Sequence, residues 1–322
     1  MIVGTGHYLP EKVLTNADLE KMVDTSDEWI ITRTGIRERR ICSPEQTTSE
    51  ISAAAALKAL EKADLDPSDV ELIITGTINP DMKFPSASVF VQERIGNTKG
   101  TGFDLGAACA GFVYSMTVAD SMIGSGRFNN AVVIGTEILS RVADWKDRKT
   151  CVLFGDGSGA IVLKKSDGKR GLLSSVLHSD GRLAHLLYYK GEGTKYGSSK
   201  ETIEGGFHFL RMNGQEVFKH AVREMGEASL EAIDKAGLKP DDIDLMIPHQ
   251  ANIRIIDATA RRLGFTNSRV MVNIDRTGNT SSASIPIAMD QAVEAGRLEP
   301  GMNVLMAVFG AGLIWGAAVV KF

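Results

Sequence analysis

An internal repeat constrains the fold of this 322-residue chain more than any other feature. The segment from Leu60 to Ile74, LEKADLDPSDVELII, matches the segment from Ile233 to Ile247, IDKAGLKPDDIDLMI, at seven of 15 positions. The offset is 173 residues throughout, as between Lys62 and Lys235. Each copy has the pattern of a helix, a proline-containing turn and a buried strand. A sequence repeated only twice predicts two similar halves packed about a pseudo-two-fold axis rather than a solenoid.

A second match extends the repeat and sets its limits. Residues 124–127 correspond to residues 294–297 at an offset of 170, and an apolar strand follows each copy. We therefore predict two halves, residues 1–165 and 166–322. Helical patterns alternate with short apolar strands in both halves. This alternation is typical of α/β proteins with mixed, mostly parallel sheets.

One cysteine stands where a predicted strand gives way to a predicted helix. Cys109 lies in GFDLGAACAGF, after a short β-type run and ahead of the apolar, helix-compatible segment 111–123. Unpaired N–H groups at a helix N-terminus favour the thiolate, and the small neighbouring residues leave room for a substrate. The alternative is a cysteine that serves as a small core residue, which is the commoner role of a lone cysteine.

The repeat brings two further polar residues to the same region. The offset of 170 takes Cys109 to Asn279, which is expected to follow a strand and precede a helix over 285–295. The offset of 173 takes the strand end at Thr75–Gly76 to Pro248–His249. Because ligands bind at the C-terminal ends of strands in open α/β sheets, the cysteine, histidine and asparagine form a candidate site. A core histidine and a helix-capping asparagine are the alternatives.

Composition and charge argue against several other classes of function. The net charge is −4, no basic block indicates nucleic-acid binding, and no apolar run could span a bilayer. The N-terminal residues lack a signal-peptide pattern, and the odd number of cysteines fits a reducing cytoplasm. No cysteine and histidine cluster has metal-ligand spacing, so we expect no metal. The glycine-rich segment 155–159 lacks the spacing of a phosphate-binding loop and is expected to be a tight turn between core strands.

Four motifs occur together and in order: GAACAG around Cys109, PHQAN at 248–252, GNTSSAS at 278–284 and FGAGL at 309–313. With SDEWIITRTGIRERR at 26–40, they resemble the thiolase superfamily, and specifically the β-ketoacyl-acyl carrier protein synthase III family. The resemblance extends over essentially the whole chain. It implies a thiolase-like, five-layered αβαβα fold made of two duplicated halves. It also implies an acyltransferase that condenses an acyl-CoA primer with malonyl-acyl carrier protein to start type II fatty acid synthesis.

The resemblance further implies a role for each candidate residue. Cys109 would carry the acyl group as a thioester, and His249 and Asn279 would donate hydrogen bonds to the enolate oxygen formed by decarboxylation. Backbone N–H groups of Cys109 and Ala311 would hold the tetrahedral oxyanion. Alanine stands at position 311 where many relatives have glycine, which would be strained only if a positive φ were required. The acyl-CoA and the carrier protein are substrates, and no cofactor is expected.

Aromatic and basic residues match the positions that bind CoA in this family. Trp29 and Arg148 would sandwich the adenine between an indole ring and a guanidinium plane. Arg33 would meet the nucleotide, and Asn252 would contact the pantetheine arm. Two other arginines of the N-terminal string can equally belong to a solvated loop: Arg39 and Arg40.

The second substrate is carried by an acidic protein, so a negatively charged enzyme needs local positive charge to bind it. Basic residues recur at helical spacing on two predicted helices, although Asp257 shares that face and a merely solvated face is the alternative. We expect these residues to dock the carrier protein: Lys219, Arg223, Arg254, Arg261 and Arg262.

A homodimer is expected, because Phe84 matches a family position that reaches across to the partner and limits the acyl pocket. One alternative is a related condensing enzyme of secondary metabolism. Another is a non-catalytic acyl-binding subunit, against which the intact Cys109, His249 and Asn279 argue. A degradative thiolase is disfavoured, since no cysteine beyond Cys151 could supply its second catalytic thiol.

Overall fold

The computed structural model describes residues 1–166, 168, 170–191 and 193–322 of an α/β protein. None of the helices in these ranges has the length and apolar character needed to cross a membrane. The strands are β1 (Ile2–Tyr8), β2 (Lys12–Thr15), β3 (Glu38–Ile41), β4 (Leu72–Gly76), β5 (Thr101–Leu105), β6 (Asn130–Ile138), β7 (Asp156–Lys164), β8 (Gly171–Ser179), β9 (Leu187–Tyr189), β10 (Leu210–Met212), β11 (Leu245–Pro248), β12 (Asn303–Gly310) and β13 (Ile314–Lys321). The α-helices are α1 (Asn16–Leu19), α2 (Asp27–Thr34), α3 (Thr48–Lys62), α4 (Ala87–Arg94), α5 (Gly111–Gly124), α6 (Lys200–Glu204), α7 (Gly214–Lys235), α8 (Ile253–Arg262), α9 (Ile274–Thr277) and α10 (Ser284–Glu294).

Most of the strands form two sheets that repeat one topology. The first sheet has the order β1-β7-β6-β4-β5, and the second has the order β8-β13-β12-β11. Ile73 pairs with Val132 in the first sheet, and Met246 pairs with Leu305 in the second. Corresponding residues of these pairs are 173 positions apart (246 − 73 and 305 − 132). The offset predicted from the repeat therefore holds at the centre of each sheet.

The sheets are mixed, as predicted, but they are not mostly parallel. In the two large sheets of the described chain, β4 is parallel to β5 and β6, and β11 is parallel to β12. The other four ladders, β1–β7, β6–β7, β12–β13 and β8–β13, are antiparallel. A parallel neighbour requires a crossover connection, whereas β12 and β13 are joined by a tight turn, which makes them antiparallel.

Helices form one layer between the two sheets and one layer outside each of them. The central helix α5 packs on β4 and β6. The other central helix, α10, packs on β1 and β7. Helices α3 and α4 cover the outer face of the first sheet, while α7 packs on the second sheet together with α8. Three separate clusters of buried apolar side chains fill these interfaces. The five-layered αβαβα fold is thereby confirmed.

The turns that precede the two central helices are also copies of each other. Each is one turn of 3₁₀-helix, and each begins at a non-glycine residue with positive φ, 44° at Ala108 and 51° at Ser281. These residues are again 173 apart, so the counterpart of Cys109 is Ser282 and not Asn279. The offset of 170 arises only beyond α10, which has 11 residues where α5 has 14. The prediction that Cys109 and Asn279 share one structural position is wrong.

The glycine-rich segment 155–159 lies largely within β7 and is not the predicted tight turn. A β-carbon at Gly159 would lie 2.6 Å from the backbone nitrogen of Ile287, and one at Gly157 would lie 3.0 Å from the Ile287 side chain. Glycine is required at position 159 and favoured at position 157, because α10 packs directly against this strand. The contacting helix belongs to the other half of the chain, so local composition does not reveal it.

Arg39 is fully buried and is not part of a solvated loop. Its guanidinium donates hydrogen bonds to the Asn16 side chain and the Val152 carbonyl, each over 2.9 Å. Burial lowers the pKa of Arg39 to about 10. A β-carbon at Gly278 would lie only 3.0 Å from the Arg39 β-carbon, so this arginine packs beneath the segment that carries Asn279.

Candidate active site

One cavity of about 720 Å³ brings together the three polar residues at the predicted strand ends. His249 and Asn279 are buried in it, and Cys109 is partly exposed to it. The half-buried Trp29 and the exposed Arg33 line the same cavity and mark its mouth. A cavity with polar groups at its buried end and an open mouth suits a long substrate that reacts at one end.

Cys109 lies between the left-handed Ala108 and the start of α5, as expected for a strand-to-helix junction. Its Sγ is 3.3 Å from the Ser281 hydroxyl, and the two groups are hydrogen-bonded. Burial raises the pKa of the thiol to about 11, and this effect exceeds the opposing hydrogen bond from Ser281. The helix N-terminus favours the thiolate, but desolvation of the charged form outweighs this effect in the free protein.

His249 directly follows β11, and its ring is held by the first residue of α10. Nδ1 lies 2.7 Å from the Ser284 hydroxyl, which leaves Nε2 to face the cavity. Burial lowers the pKa of His249 to about 4, so the imidazole is neutral at neutral pH. Gln250 fixes the turn, because its side chain donates to the Pro248 carbonyl over 2.8 Å and accepts from the Asn273 N–H over 3.1 Å.

Asn279 follows the short helix α9 and not the predicted strand. Its backbone pairs with the segment around Phe154: it donates to the Leu153 carbonyl over 2.8 Å and accepts from the Gly155 N–H over 3.0 Å. The side-chain oxygen accepts a hydrogen bond of 2.8 Å from the Ser281 N–H. The amide nitrogen is therefore the part of Asn279 that remains to bind a ligand.

The turn between β12 and β13 packs against the nucleophile. A β-carbon at Gly310 would lie 2.9 Å from the backbone nitrogen of Cys109, so only glycine permits this approach. Ala311, which lines the cavity, is not among the residues with positive φ; that conformation falls on Gly312, at 145°. Alanine therefore fits at position 311 without backbone strain and keeps its N–H.

A buried carboxyl group stands close to Cys109, and no motif pointed to it. Glu137, near the end of β6, accepts hydrogen bonds from the Ile78 N–H over 3.2 Å and the Thr77 hydroxyl over 3.3 Å. Burial raises the pKa of Glu137 to about 8, and its negative charge contributes to the raised pKa of Cys109. The sequence offered one indication of this group, because Glu137 is an acidic residue within the apolar strand NAVVIGTEI. A buried titratable group near a cleft often marks a functional site.

Two guanidinium groups lie over the Trp29 ring at the mouth. The distances from the ring centroid are 5.2 Å for Arg148 and 5.8 Å for Arg33. Arg148 also donates to the Asp24 carbonyl over 2.5 Å. Lys149, which the sequence analysis did not single out, lines the cavity beside them. The mouth therefore combines a flat aromatic face with several positive charges.

Asn252 lines the cavity, but most of its hydrogen-bonding capacity is used within the chain. Its oxygen accepts from the Arg254 N–H and caps α8, and its nitrogen donates to the Arg33 carbonyl; both distances are 2.9 Å. One amide hydrogen remains for a ligand. Phe84 lies outside this cavity and exposes 83% of its surface.

The predicted docking residues differ in how far neighbouring acids engage them. Arg254 lies at the cavity mouth with its guanidinium 5.3 Å from the centre of the Phe218 ring, and Arg261 is exposed on the same helix. The remaining three form ion pairs: Lys219 with Glu216 at 2.7 Å, Arg223 with Glu224, and Arg262 with Glu227 at 3.2 Å.

One group of potential metal ligands occurs in the described part of the chain. Ligand atoms of His7, Asp290 and Glu294 lie within 4.8 Å of one another. The Lys62 ammonium lies 2.6 Å from Asp290 and 3.2 Å from Glu294, so a positive charge already stands between the two carboxylates. This arrangement is an ion-pair network, and it lies apart from the cavity.

Comparisons with known proteins identify a family and relatives that the whole chain resembles. Residues 103–181 match the family model described as 3-oxoacyl-[acyl-carrier-protein (ACP)] synthase III, and residues 233–322 match the model of its C-terminal part. A relative from Desulfitobacterium hafniense (strain DSM 10664 / DCB-2), named beta-ketoacyl-[acyl-carrier-protein] synthase III, is 52% identical over 100% of this chain and 97% of its own.

Solved structures of similar proteins have the same fold. The 3-oxoacyl-[acyl-carrier-protein] synthase III from Aquifex aeolicus VF5 is 46% identical, with a TM-score of 0.93 over 100% of this chain and 99% of its own. The priming beta-ketosynthase from the R1128 polyketide biosynthetic pathway is 37% identical, with a TM-score of 0.92 over 99% of this chain and 95% of its own.

Proposed function

The chain belongs to the 3-oxoacyl-[acyl-carrier-protein] synthase III family, and we propose that Cys109, His249 and Asn279 carry out the two half-reactions of its condensation. The protein is an acyltransferase of fatty acid biosynthesis. It condenses an acyl-CoA primer with malonyl-acyl carrier protein and releases CoA and CO₂. The observation that supports these roles is the single cavity that holds a thiol, a neutral imidazole and a carboxamide.

In the first half-reaction the Cys109 thiol loses its proton, and the sulfur attacks the carbonyl carbon of the acyl-CoA. The backbone N–H groups of Cys109 and Ala311 stabilise the resulting oxyanion. The close packing of Gly310 on the Cys109 nitrogen supports this pairing. Collapse of the tetrahedral intermediate breaks the bond to CoA, which leaves as a thiolate and takes a proton from solvent. The acyl group stays on Cys109 as a thioester.

In the second half-reaction His249 and Asn279 donate hydrogen bonds to the thioester carbonyl of malonyl-acyl carrier protein. Loss of CO₂ breaks a carbon–carbon bond, and its electron pair forms an enolate whose oxygen the two neutral donors stabilise. The enolate carbon then attacks acyl-Cys109. A new carbon–carbon bond forms while the bond to sulfur breaks, and the Cys109 thiolate regains a proton. Because burial lowers the pKa of His249 to about 4, the ring is not an acid that would protonate the enolate.

The CoA portion of the primer is proposed to bind at the cavity mouth. Trp29 offers an aromatic face for the adenine. The Arg148 guanidinium lies 5.2 Å from the centre of this ring and would move outward to cover the opposite face of the bound base. Arg33 and Lys149 supply positive charge for the phosphates. The remaining amide hydrogen of Asn252 is available to the pantetheine arm.

The active protein is proposed to be a homodimer in which Phe84 of one copy limits the acyl pocket of the other. Phe84 exposes 83% of its surface, and Met82 exposes 50%. The segment that follows them is tied to the edge strand β5, since the Ala87 N–H donates to Asp104 over 2.6 Å. Exposed apolar side chains beside an edge strand support the burial of this region by a second copy.

A priming enzyme of secondary metabolism is the second candidate, because one similar solved structure is a priming ketosynthase of a polyketide pathway. The two candidates share the acylation of Cys109 and differ in the carrier protein and primer that they use. Turnover with the carrier protein of fatty acid synthesis favours the first candidate.

The test measures the intact mass of the protein after incubation with acetyl-CoA and with longer or branched acyl-CoAs. We expect one acyl adduct on the wild-type chain and none on Cys109→Ala, because the thioester forms on this sulfur. His249→Ala and Asn279→Ala should still be acylated but should fail to condense the acyl group with malonyl-acyl carrier protein. An unmodified wild-type chain under all of these conditions would refute the proposed roles.

A further inference from the structure

The acylation step leaves one question of chemistry open, which is where the proton of the Cys109 thiol goes. Burial raises the pKa of this thiol to about 11, so the free protein holds it protonated at neutral pH. His249 is a poor acceptor, because burial lowers its pKa to about 4 and its Nδ1 is already engaged by Ser284. Another group must accept the proton for the sulfur to attack efficiently.

Glu137 is a buried carboxyl group that is placed to accept this proton. It has no exposed surface, and it accepts hydrogen bonds from the Ile78 N–H and the Thr77 hydroxyl. These donors fix the carboxyl group at the end of β6, directly beside the turn that carries Cys109. Within the described chain no basic side chain forms an ion pair with it, and the charge of Asp156 on β7 favours its protonated form.

Ser281 connects Glu137 to Cys109. Its hydroxyl lies 3.3 Å from the Cys109 Sγ, to which it donates, and it also interacts with the Glu137 carboxyl group, whose pKa it lowers. The residue is held in the left-handed region, with φ of 51°, and its N–H is committed to the Asn279 side chain. A non-glycine residue in this conformation is costly, and such residues cluster at functional sites. The backbone thus holds a hydroxyl group that lies against the thiol and interacts with the carboxyl group.

We propose that Glu137 accepts the proton of Cys109 through the Ser281 hydroxyl during acylation, and returns it when the condensation expels the Cys109 thiolate. This inference rests on the role of Cys109 as the acyl carrier. In the forward transfer the S–H bond breaks, the Ser281 oxygen gains that proton, and the Ser281 hydroxyl proton passes to a Glu137 oxygen. The sulfur lone pair forms the bond to the acyl carbon. In the return transfer the same bonds change in the opposite direction, so both groups end as they began.

The environment of Glu137 suits this task. A proton moves from a thiol to an ordinary carboxylate against a large difference in acidity. Burial raises the pKa of Glu137 to about 8, which narrows that difference and leaves a useful fraction of carboxylate near neutral pH. The groups that face Glu137 are Asp156 from β7, Cys109 from the turn before α5, and the uncharged Thr77, Ile78 and Ser281. We therefore expect acylation to accelerate as Glu137 ionises and then to level off.

The experiment follows acylation from acetyl-CoA by rapid mixing and intact mass, between about pH 6 and about pH 10. Three variants of the full-length protein are compared with wild type: Glu137→Gln, Ser281→Ala and the double variant. Glu137→Gln keeps a hydrogen-bonding side chain but cannot take a proton, so we expect acylation near pH 8 to slow by about 100-fold. The inflection near the pKa of Glu137 should disappear in this variant. Because the two residues act in series, the double variant should be no slower than the slower single variant.

Thr77→Val is the matched control, since it removes the other hydroxyl bound to the same carboxyl group but leaves the Ser281 path intact. Its acylation should reach a near-wild-type plateau, with the inflection moved to higher pH because a donor to the carboxylate is lost. Decarboxylation of malonyl-acyl carrier protein, which depends on His249 and Asn279, should persist in Glu137→Gln and shows that the fold is intact.

Two results would overturn the relay while the acyl-enzyme role of Cys109 stands. One is a wild-type acylation rate and pH profile in Glu137→Gln. The other is a double variant whose slowing equals the product of the two single effects, which would mean that the residues act independently. Absence of any adduct on wild-type Cys109 would instead refute the proposed function itself.

Discussion

At the residue scale, burial sets the protonation state of the His249 imidazole, and one hydrogen bond sets the orientation of its ring. His249 is neutral because burial lowers its pKa to about 4, and the Ser284 hydroxyl at 2.7 Å fixes its ring. We predict that Ser284→Ala slows condensation by about 10-fold or more, because the imidazole loses the partner that sets its orientation. Acylation of Cys109 should be unchanged. Single-turnover measurements of the two half-reactions separate these effects.

Ser282→Ala is the matched control for Ser284→Ala. Within the described chain the buried Ser282 hydroxyl has no hydrogen-bond partner, so its removal should leave both half-reactions unaffected. The imidazole signals of His249, followed by NMR, should stay those of a neutral ring as the pH falls to about 5. A titration midpoint at the ordinary value for histidine would contradict the neutral-donor role.

At the scale of elements, helices α7 and α8 present the positive charge that we propose as the docking surface for the carrier protein. Lys219, Arg223 and Arg262 are partly neutralised by acids on α7, whereas Arg254 stacks on Phe218 at the cavity mouth. We predict that Arg254→Glu raises the KM for malonyl-acyl carrier protein by about 10-fold at low salt, and that added salt reduces the difference. Steady-state kinetics at several salt concentrations measure this.

Arg127→Glu makes the same change of charge beyond the far end of α5, away from the mouth. It should leave the KM for the carrier protein close to wild type. Equal effects of the two substitutions would mean that net charge, and not a docking surface on α7 and α8, governs binding.

At the scale of the whole molecule, one buried carboxylate joins the two halves that we propose arose by duplication, 1–165 and 166–322. Asp290 on α10 contacts three groups of the first half: the Thr5 hydroxyl at 2.6 Å, His7 Nδ1 at 2.5 Å and the Lys62 ammonium at 2.6 Å. We predict that Asp290→Asn lowers the free energy of unfolding by about 2–3 kcal/mol, because the neutral amide cannot replace the charge-assisted hydrogen bonds that the buried carboxylate accepts. Denaturant unfolding measures the loss.

The contribution of Asp290 to the free energy of unfolding depends on pH in a defined direction. Burial alone would raise the pKa of Asp290, but hydrogen bonds from His7, Lys62 and Thr5 outweigh it and lower the pKa to about 2. The stabilisation is therefore complete above the ordinary pKa of aspartate, about 4, and is lost as the pH falls through about 2. The difference between wild type and Asp290→Asn should shrink over that interval. Glu294→Gln, half-exposed beside the same lysine, should change stability by less than about 0.5 kcal/mol.

The layered architecture could be predicted because the repeat recurs at helix, turn and strand alike. The same pattern located His249 at the end of a strand and Cys109 at the start of a helix. The repeat pattern did not predict features that depend on contacts between distant parts of the chain. The glycines at 157 and 159 are explained only by the helix that packs on them, and Arg39 is buried although its neighbours in the sequence are polar.

For a related reason, the sequence alone did not identify the residues that support the site. Ser281 acts through a contact with Cys109, 172 positions earlier, and Ser284 acts through the side chain of His249. Short polar residues are common at helix starts, so nothing local distinguishes these serines from ordinary caps. Glu137 was detectable as an acid in an apolar strand, but its partners became evident only in three dimensions.

The small sheet formed by β9 and β10 has a consequence for how such enzymes diverge. In the described chain these strands pair only with each other, yet Leu187, Leu210 and Met212 line the cavity. Substitutions there would change the shape of the proposed acyl pocket without touching the proposed nucleophile, its proposed proton path or the stacked layers. A lineage can therefore acquire a new range of primers through changes in a few peripheral side chains, while the inherited chemistry stays intact.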